Sequence, residues 1–267
     1  MDRRGIGIFD SGLGGLTGAK VIAELLPRED LFFFGDSLRN PYGGRSREEL
    51  CAFSEQNTRF LCSFGVKAIL MACGTTSSNC LDHLKQRFDV PFFGVIDAAC
   101  AAAAGTTKNG RIGVIATEAA IRSGAYETGL SRLDASLTVI PLACPGFAAM
   151  VEQGHFREDD PVAQEAVARE LSPLLDSGID TLLLGCTHYP LLSGLIAAFL
   201  GEDIMQISAG AEAAYALCAY LTENDLLTDA REEGRRRYFT SGDPKVFTDN
   251  ARSFLGHPIT TERHVIP

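Results

Sequence analysis

Ala68-Ile69-Leu70-Met71-Ala72-Cys73-Gly74 has a counterpart further along the chain in Thr181-Leu182-Leu183-Leu184-Gly185-Cys186-Thr187. In both, an unbroken apolar run leads into a cysteine. Short continuous runs of this kind suit strands buried on both faces, as parallel sheets require. The match extends outward in order. Ile6-Gly7-Ile8-Phe9 reappears as Ile112-Gly113-Val114-Ile115, and Leu31-Phe32-Phe33-Phe34 as Leu137-Thr138-Val139-Ile140 at the same offset. A further strand expected at Phe92–Ile96 is answered by Asp203–Ser208, each following its cysteine. Helix-like segments at Thr17–Leu26, Ser46–Phe64 and Ser78–Phe88 separate the first set of strands. The pattern predicts an α/β fold of two pseudo-symmetric, doubly wound parallel-sheet domains. Ligands of such sheets sit beyond the carboxyl ends of the strands, so the active site is expected in the cleft between the domains.

The join is expected near Ala101–Gly110, where an alanine run ends in the turn signal Lys108-Asn109-Gly110. After the second set of strands come an alanine-rich helix at Ala209–Leu221, a polar stretch at Thr222–Arg237 and a short strand at Tyr238–Thr240. A capped helix then follows Ser241-Gly242-Asp243-Pro244 and ends at Gly256. This tail is expected to fold back on the first half. The predicted domains are residues 1–98 with 209–267, and residues 99–208.

Bulk properties narrow the function classes. A net charge of −10 in 267 residues opposes any nonspecific hold on nucleic acid or on an anionic membrane surface. The basic cluster Arg235-Arg236-Arg237 follows Glu232-Glu233 and reads as a self-compensated, solvated turn. No apolar run approaches the roughly 18–20 residues that span a bilayer. Met1-Asp2-Arg3-Arg4 runs straight into the first strand without a signal-peptide core, so a cytoplasmic enzyme is expected. The histidines at 83, 155, 257 and 264 have no metal-ligand spacing, and no metal is expected.

Eight cysteines stand at 51, 62, 73, 80, 100, 144, 186 and 218. None forms a C-x-x-C pair, so disulfides and structural zinc are not expected, and most should be small buried hydrophobes. The duplication singles out Cys73 and Cys186. It places them at equivalent strand ends, from which two thiols can face one cleft from opposite sides. Racemisation needs that geometry, because a proton leaves one face of a stereocentre and another returns on the opposite face. A thiol is a workable acid and its thiolate a workable base. Asp10, at the end of the first strand, either orients or deprotonates Cys73 or caps the next helix. His188, two residues after Cys186, is placed for a matching role or is structural. The Asp10-Ser11-Gly12-Leu13-Gly14-Gly15 turn has glycines that admit close backbone approach to a ligand, without nucleotide-binding spacing.

Several stretches then carry a family likeness. Ile8 through Gly15, Pro41-Tyr42-Gly43, Ala72-Cys73-x-Thr75, Ser123-Gly124-Ala125-Tyr126, Ala143-Cys144-Pro145 and Leu184 through Leu192 together resemble the glutamate racemases of the aspartate/glutamate racemase superfamily. The likeness covers nearly the whole chain. It implies interconversion of L- and D-glutamate without metal, pyridoxal phosphate or nucleotide, supplying D-glutamate for peptidoglycan, by a protein that is commonly a homodimer. It implies Cys73 and Cys186 as the proton donor/acceptor pair, assisted by Asp10, Glu152 and His188. Substrate contacts implied are Asp10, Ser11, Pro41, Tyr42, Gly43, Gly74, Thr75, Thr117, Thr187 and His188. Three positions depart from the pattern. Gly74 stands where Cys-Asn-Thr is usual, Ala120 where a second threonine is common, and Gly94-Val95-Ile96-Asp97 where a Pro-Gly type turn is usual. Gly74 removes an amide that can both donate to and accept from an amino-acid head group. It therefore leaves two alternatives open: a racemase for aspartate or another amino acid, and a catalytically weakened ligand-binding homologue.

Overall fold

The computed structural model describes residues 1–266. In chain order the strands are β1 (Gly5–Asp10), β2 (Leu31–Gly35), β3 (Val66–Met71), β4 (Phe92–Gly94) and β5 (Arg111–Ala116). They continue with β6 (Thr138–Ala143), β7 (Thr181–Leu184), β8 (Met205–Ser208), β9 (Arg236–Thr240) and β10 (Thr261–Arg263). They build two sheets, of order β10-β9-β2-β1-β3-β4 and β6-β5-β7-β8, and every pairing is parallel. The shared order β2-β1-β3-β4 and β6-β5-β7-β8 repeats the duplication strand for strand. β1 and β3 are buried throughout, which explains their unalternating apolar sequences. Pro141 lies in β6, at the edge of the smaller sheet, where a missing N–H is tolerated.

The helices are α1 (Leu16–Leu25), α2 (Arg47–Cys62), α3 (Gly74–Lys85), α4 (Val95–Thr106), α5 (Glu118–Arg122) and α6 (Ala125–Leu133). The rest are α7 (Pro145–Glu152), α8 (Pro161–Leu171), α9 (Ser193–Leu200), α10 (Ala209–Glu223) and α11 (Pro244–Leu255). Local chemistry sets several ends. Ser46 and Glu49 form a capping box at the start of α2. Asp243 accepts from Lys245 and Val246 at the start of α11, and Gly256 closes that helix at φ 83°. Among the described residues no helix is long and apolar enough to cross a membrane.

Three expectations need correction. The strand expected at Phe92–Ile96 stops at Gly94, and Val95 already begins α4. The alanine run is the body of that helix, which packs against α10 and α6, and the Lys108-Asn109-Gly110 stretch follows it before β5 opens the second sheet. The helix expected from Ser78 begins at Gly74, with Cys73 as its N-cap residue. Gly, Thr and Ser are weak helix formers, yet here that turn is buried and secured by tertiary bonds, among them Ser77 Oγ to the Met71 carbonyl at 2.8 Å. Finally, Arg235–Arg237 is not a self-compensated turn. Arg236 and Arg237 open β9; Arg235 pairs with Asp30 and Arg237 with Glu262, while Arg236 donates to the carbonyls of Glu29 and Pro27.

β9 extends the larger sheet beside β2, and α11 packs on α1. The C-terminal segment thus adds two strands to the sheet that β1–β4 begin. The sequence-derived boundary at 98/99 falls within α4.

Candidate active site

Cys73 follows β3 after Ala72 and is the N-cap residue of α3; Cys186 follows β7 after Gly185, at the same spacing. The two strands occupy the same position in their sheets, so each sheet delivers one nearly buried thiol, 5% and 8% exposed, to its carboxyl edge. Both thiols line a single cavity of about 440 Å³. Its wall also holds Ser11, Pro41, Tyr42, Gly43, Gly74 and Thr75 from the first half, and Thr117, Glu152, Thr187 and His188 from the second. Asp10 does not line it: its side chain is fully buried behind the wall. Among the described residues no group of three or more His, Cys, Asp and Glu is placed to hold a metal.

The two thiols have unlike surroundings. On the first side, the Cys73 thiol lies 3.7 Å from Ser11 Oγ. Burial, together with the negative charge of Asp10, pushes Cys73 up to about 12, while the Thr76 backbone N–H at the start of α3 pulls the other way. Burial also raises Asp10, against the charge of His188 and the N–H of Gly12, which donates to Asp10 Oδ2 at 3.1 Å. Asp10 Oδ1 has no hydrogen-bond partner among the described residues. Asp10 does not cap α1, whose N-cap residue is Gly15.

On the second side, Cys186 Sγ lies 3.6 Å from His188 Nδ1, and His188 Nε2 lies 2.9 Å from Glu152 Oε1. Burial disfavours a charged His188, but the bonds to Cys186 and Glu152 outweigh it and carry the imidazole up to about 10. Both bonds favour an imidazolium held between a sulfur and a carboxylate. The ring edge also meets Phe254 of α11, with centroids 5.9 Å apart.

The cavity floor is closed by backbone. A Cβ built on Gly74 would overlap the Gly185 carbonyl oxygen, to which Tyr126 OH donates at 3.3 Å. Gly14 similarly leaves room for Thr187. Above the floor, Thr75 Oγ1 and Thr117 Oγ1 meet at 2.9 Å, one from each half. Tyr42 contributes ring and backbone only, since its hydroxyl bonds to the buried Asp36 carboxylate. Ala120, where a second threonine is usual, is fully buried and donates its N–H to Thr117 Oγ1 at 3.3 Å. Gly94 packs closely on Leu81 and Ser77 as α4 begins. Sequence reasoning missed Asn40, which lines the cavity and donates to Glu152 Oε2 at 2.7 Å.

Two half-sheets of like order, each presenting a thiol to one shared cavity, define a class of protein able to set an acid and a base on the two sides of one small molecule. The Asp/Glu/hydantoin racemase family model matches residues 24–216, and the chain belongs to that family. Its relatives are specific. It is 38% identical over 263 residues to glutamate racemase of Listeria monocytogenes serotype 4a (strain HCC23), covering 98% of each chain. The crystal structure of glutamate racemase isoform RacE1 from Bacillus anthracis superposes with a TM-score of 0.95 at 40% identity, covering 100% of this chain and 99% of that one. Glutamate racemase from Francisella tularensis, solved in complex with D-glutamate, gives 0.91 at 33% identity, covering 100% and 98%.

Proposed function

We propose that the protein is an isomerase that interconverts L- and D-glutamate by two-thiol proton transfer, with Cys73 and Cys186 as the alternating acid and base. The observation that carries this reading is the equivalence of the two cysteines: same strand, same end, opposite halves, one cavity. In one direction the Cys186 thiolate takes the α-proton, and the Cys73 thiol donates its own to the opposite face of the planar carbanion. In the other direction the roles exchange, so that one proton is lost and one gained in each turnover.

The flanking groups fit these tasks. A positive His188 offers a countercharge to sulfur at Cys186. On the other side, the free oxygen of Asp10 and the Thr76 N–H serve the Cys73 thiol when it must ionise. The start of α3, whose first-turn N–H groups have no partner within the helix, suits the α-carboxylate, with Ser11, Thr75 and Thr187 beside it. The hydroxyl pair Thr75–Thr117 and the backbone at Pro41, Gly43 and Gly74 complete the contacts we assign to substrate.

The reading extends to D-glutamate supply for peptidoglycan, to action without metal or cofactor, and to a homodimer in the cytoplasm that takes a small-molecule substrate and neither nucleic acid nor membrane. Eight free cysteines suit a reducing compartment. Light scattering during size exclusion checks the dimer. Residues 1–98 with 209–267 and residues 99–208 are the units we expect to move relative to one another as the cleft opens.

The deciding experiment follows glutamate in deuterated water by circular dichroism and proton NMR. Loss of optical activity with α-deuterium in the product is expected from either enantiomer. If glutamate keeps its α-hydrogen while aspartate or another amino acid exchanges, the fold's chemistry stands but the substrate changes. Gly74, with no side chain to offer a head group, is the observation that favours including that panel.

A further inference from the structure

Glu152 ends α7 in the second half, yet both of its oxygens are engaged at the mouth of the cleft. Oε1 meets His188 Nε2 at 2.9 Å, and Oε2 accepts from Asn40 Nδ2, which belongs to the first half, at 2.7 Å. The carboxylate lies over Gly12: a Cβ there would come within 2.7 Å of Glu152 Oε1 and 3.5 Å of Asn40 Nδ2. Only an amide hydrogen can serve the Asn40 bond, because an ionised carboxylate accepts and does not donate.

Asn40 is held on both sides. Arg39 donates to the fully buried Asp36 carboxylate at 2.6 Å and to Asn57 Oδ1 at 3.1 Å. The Tyr42 hydroxyl donates to the same carboxylate, which also accepts from Ser241 Oγ at 2.8 Å. The loop is therefore fixed to the core of the larger sheet while Asn40 itself stays half-buried and turned to the cleft. A rigid loop presenting one amide to one carboxylate is how a supporting residue fixes the groups it serves.

We propose that Asn40 is a positioning residue that holds the Glu152 carboxylate against His188, and so orients the imidazole on the Cys186 sulfur. Its effect falls on proton transfer at Cys186 and not at Cys73, whose neighbours are Ser11 and Asp10. The same bond ties the two halves together across the cleft. The charged and titratable groups around His188 are Cys186, Glu152 and, further off, Asp10; Asn40 acts on the second of these.

The inference rests on the two-thiol reading, and its test separates the two. Asn40→Leu keeps the branched shape and removes the donor; Asn40→Ala serves if leucine disturbs the loop. Loss of one charge-assisted hydrogen bond is expected to lower kcat roughly ten- to hundredfold. Glu152→Gln removes the recipient charge. If Asn40 works through Glu152, the double variant is no slower than Glu152→Gln alone, whereas independent effects would multiply. With α-deuterated substrate, the isotope effect on kcat/KM should rise for one enantiomer only, the same one that His188→Asn affects. Multiplying losses in the double variant, or isotope effects that rise equally for both enantiomers, would overturn the role given to Asn40 and leave the two-thiol reading intact. An unmodified protein that exchanges no α-hydrogen would end both.

Discussion

The Gly185 carbonyl oxygen occupies the space that a side chain at Gly74 would need. These residues are neighbours of the two cysteines, one in each half, so the contact sets how closely the thiol-bearing strand ends approach. The asparagine usual at this position in glutamate racemases does not fit this arrangement unless one half shifts against the other.

Gly74→Ala should therefore act on catalysis more than on folding. The added methyl must push the start of α3 away from the end of β7, and a misplacement on the order of 1 Å at reacting groups can cost roughly a hundredfold. We expect kcat/KM for racemisation to fall at least about tenfold, with a melting temperature within a few degrees of the unmodified protein. Unchanged kcat/KM would show that the contact does not control the cleft.

Replacing either cysteine by serine exchanges a thiol for a much weaker acid and nucleophile. Cys73→Ser and Cys186→Ser are each expected to reduce racemisation by roughly 10²–10⁴-fold, the usual scale for a positioned acid or base. Steady-state polarimetry with each enantiomer measures it. Cys144→Ser, at a buried position outside the cavity wall, serves as the contrasting variant and should keep most of the activity. A fully active Cys73→Ser or Cys186→Ser protein would sink the two-base scheme.

His188 gives a pH dependence with a definite sign. Its folded value, about 10, lies above the ordinary value of 6.5. The folded state thus holds the proton more tightly than the unfolded state does. The resulting stabilisation is fully present below about pH 6.5 and is lost as pH rises towards and through 10. Urea unfolding at pH 6, 8 and 10 should show this decline, and His188→Asn should flatten it. A His188→Asn protein with the same decline would assign it to another group.

A fourth outcome concerns stability alone. Lys67 and Glu29 form an ion pair at 2.6 Å with side chains 0% and 2% exposed, and the ammonium also donates to the carbonyls of Asp2 and Leu226. Lys67→Met would strand a buried carboxylate, at a cost of about 3–5 kcal/mol. Lys67 lies near the start of β3 and Cys73 just past its end, roughly 20 Å apart at a strand's rise per residue. Denaturant melts should register the loss, while kcat at 25 °C should change less than about twofold.

What was legible in the sequence was what periodicity and repetition encode. Unalternating runs such as Ile6–Phe9 and Ala68–Met71 announce strands buried on both faces, and their recurrence gave the matched order of the two sheets. Gly74 through Ser77 resisted, because their weak helix propensity is overridden by burial that only the folded chain supplies. The start of α4 at Val95 was hidden for a related reason: the helix is packed against α10 and α6, without the polar stripe that marks an exposed one. Asn40 left no local signal at all. Its partner Glu152 lies in the other half at the end of α7, and a hydrogen bond between segments so far apart in the chain has no period in either.

The duplication has a thermodynamic consequence that reaches beyond the cleft's geometry. Two mirror-image amino acids have the same free energy in water, so at equilibrium their concentrations are equal, and kcat/KM must be identical for the two directions whatever the protein does. Yet the thiols have unequal company, Ser11 and Asp10 beside one, His188 and Glu152 beside the other. That inequality can surface only in how each direction divides between kcat and KM. A chain built from two like halves is thereby free to hold one hand of its substrate more tightly and to turn over the other faster.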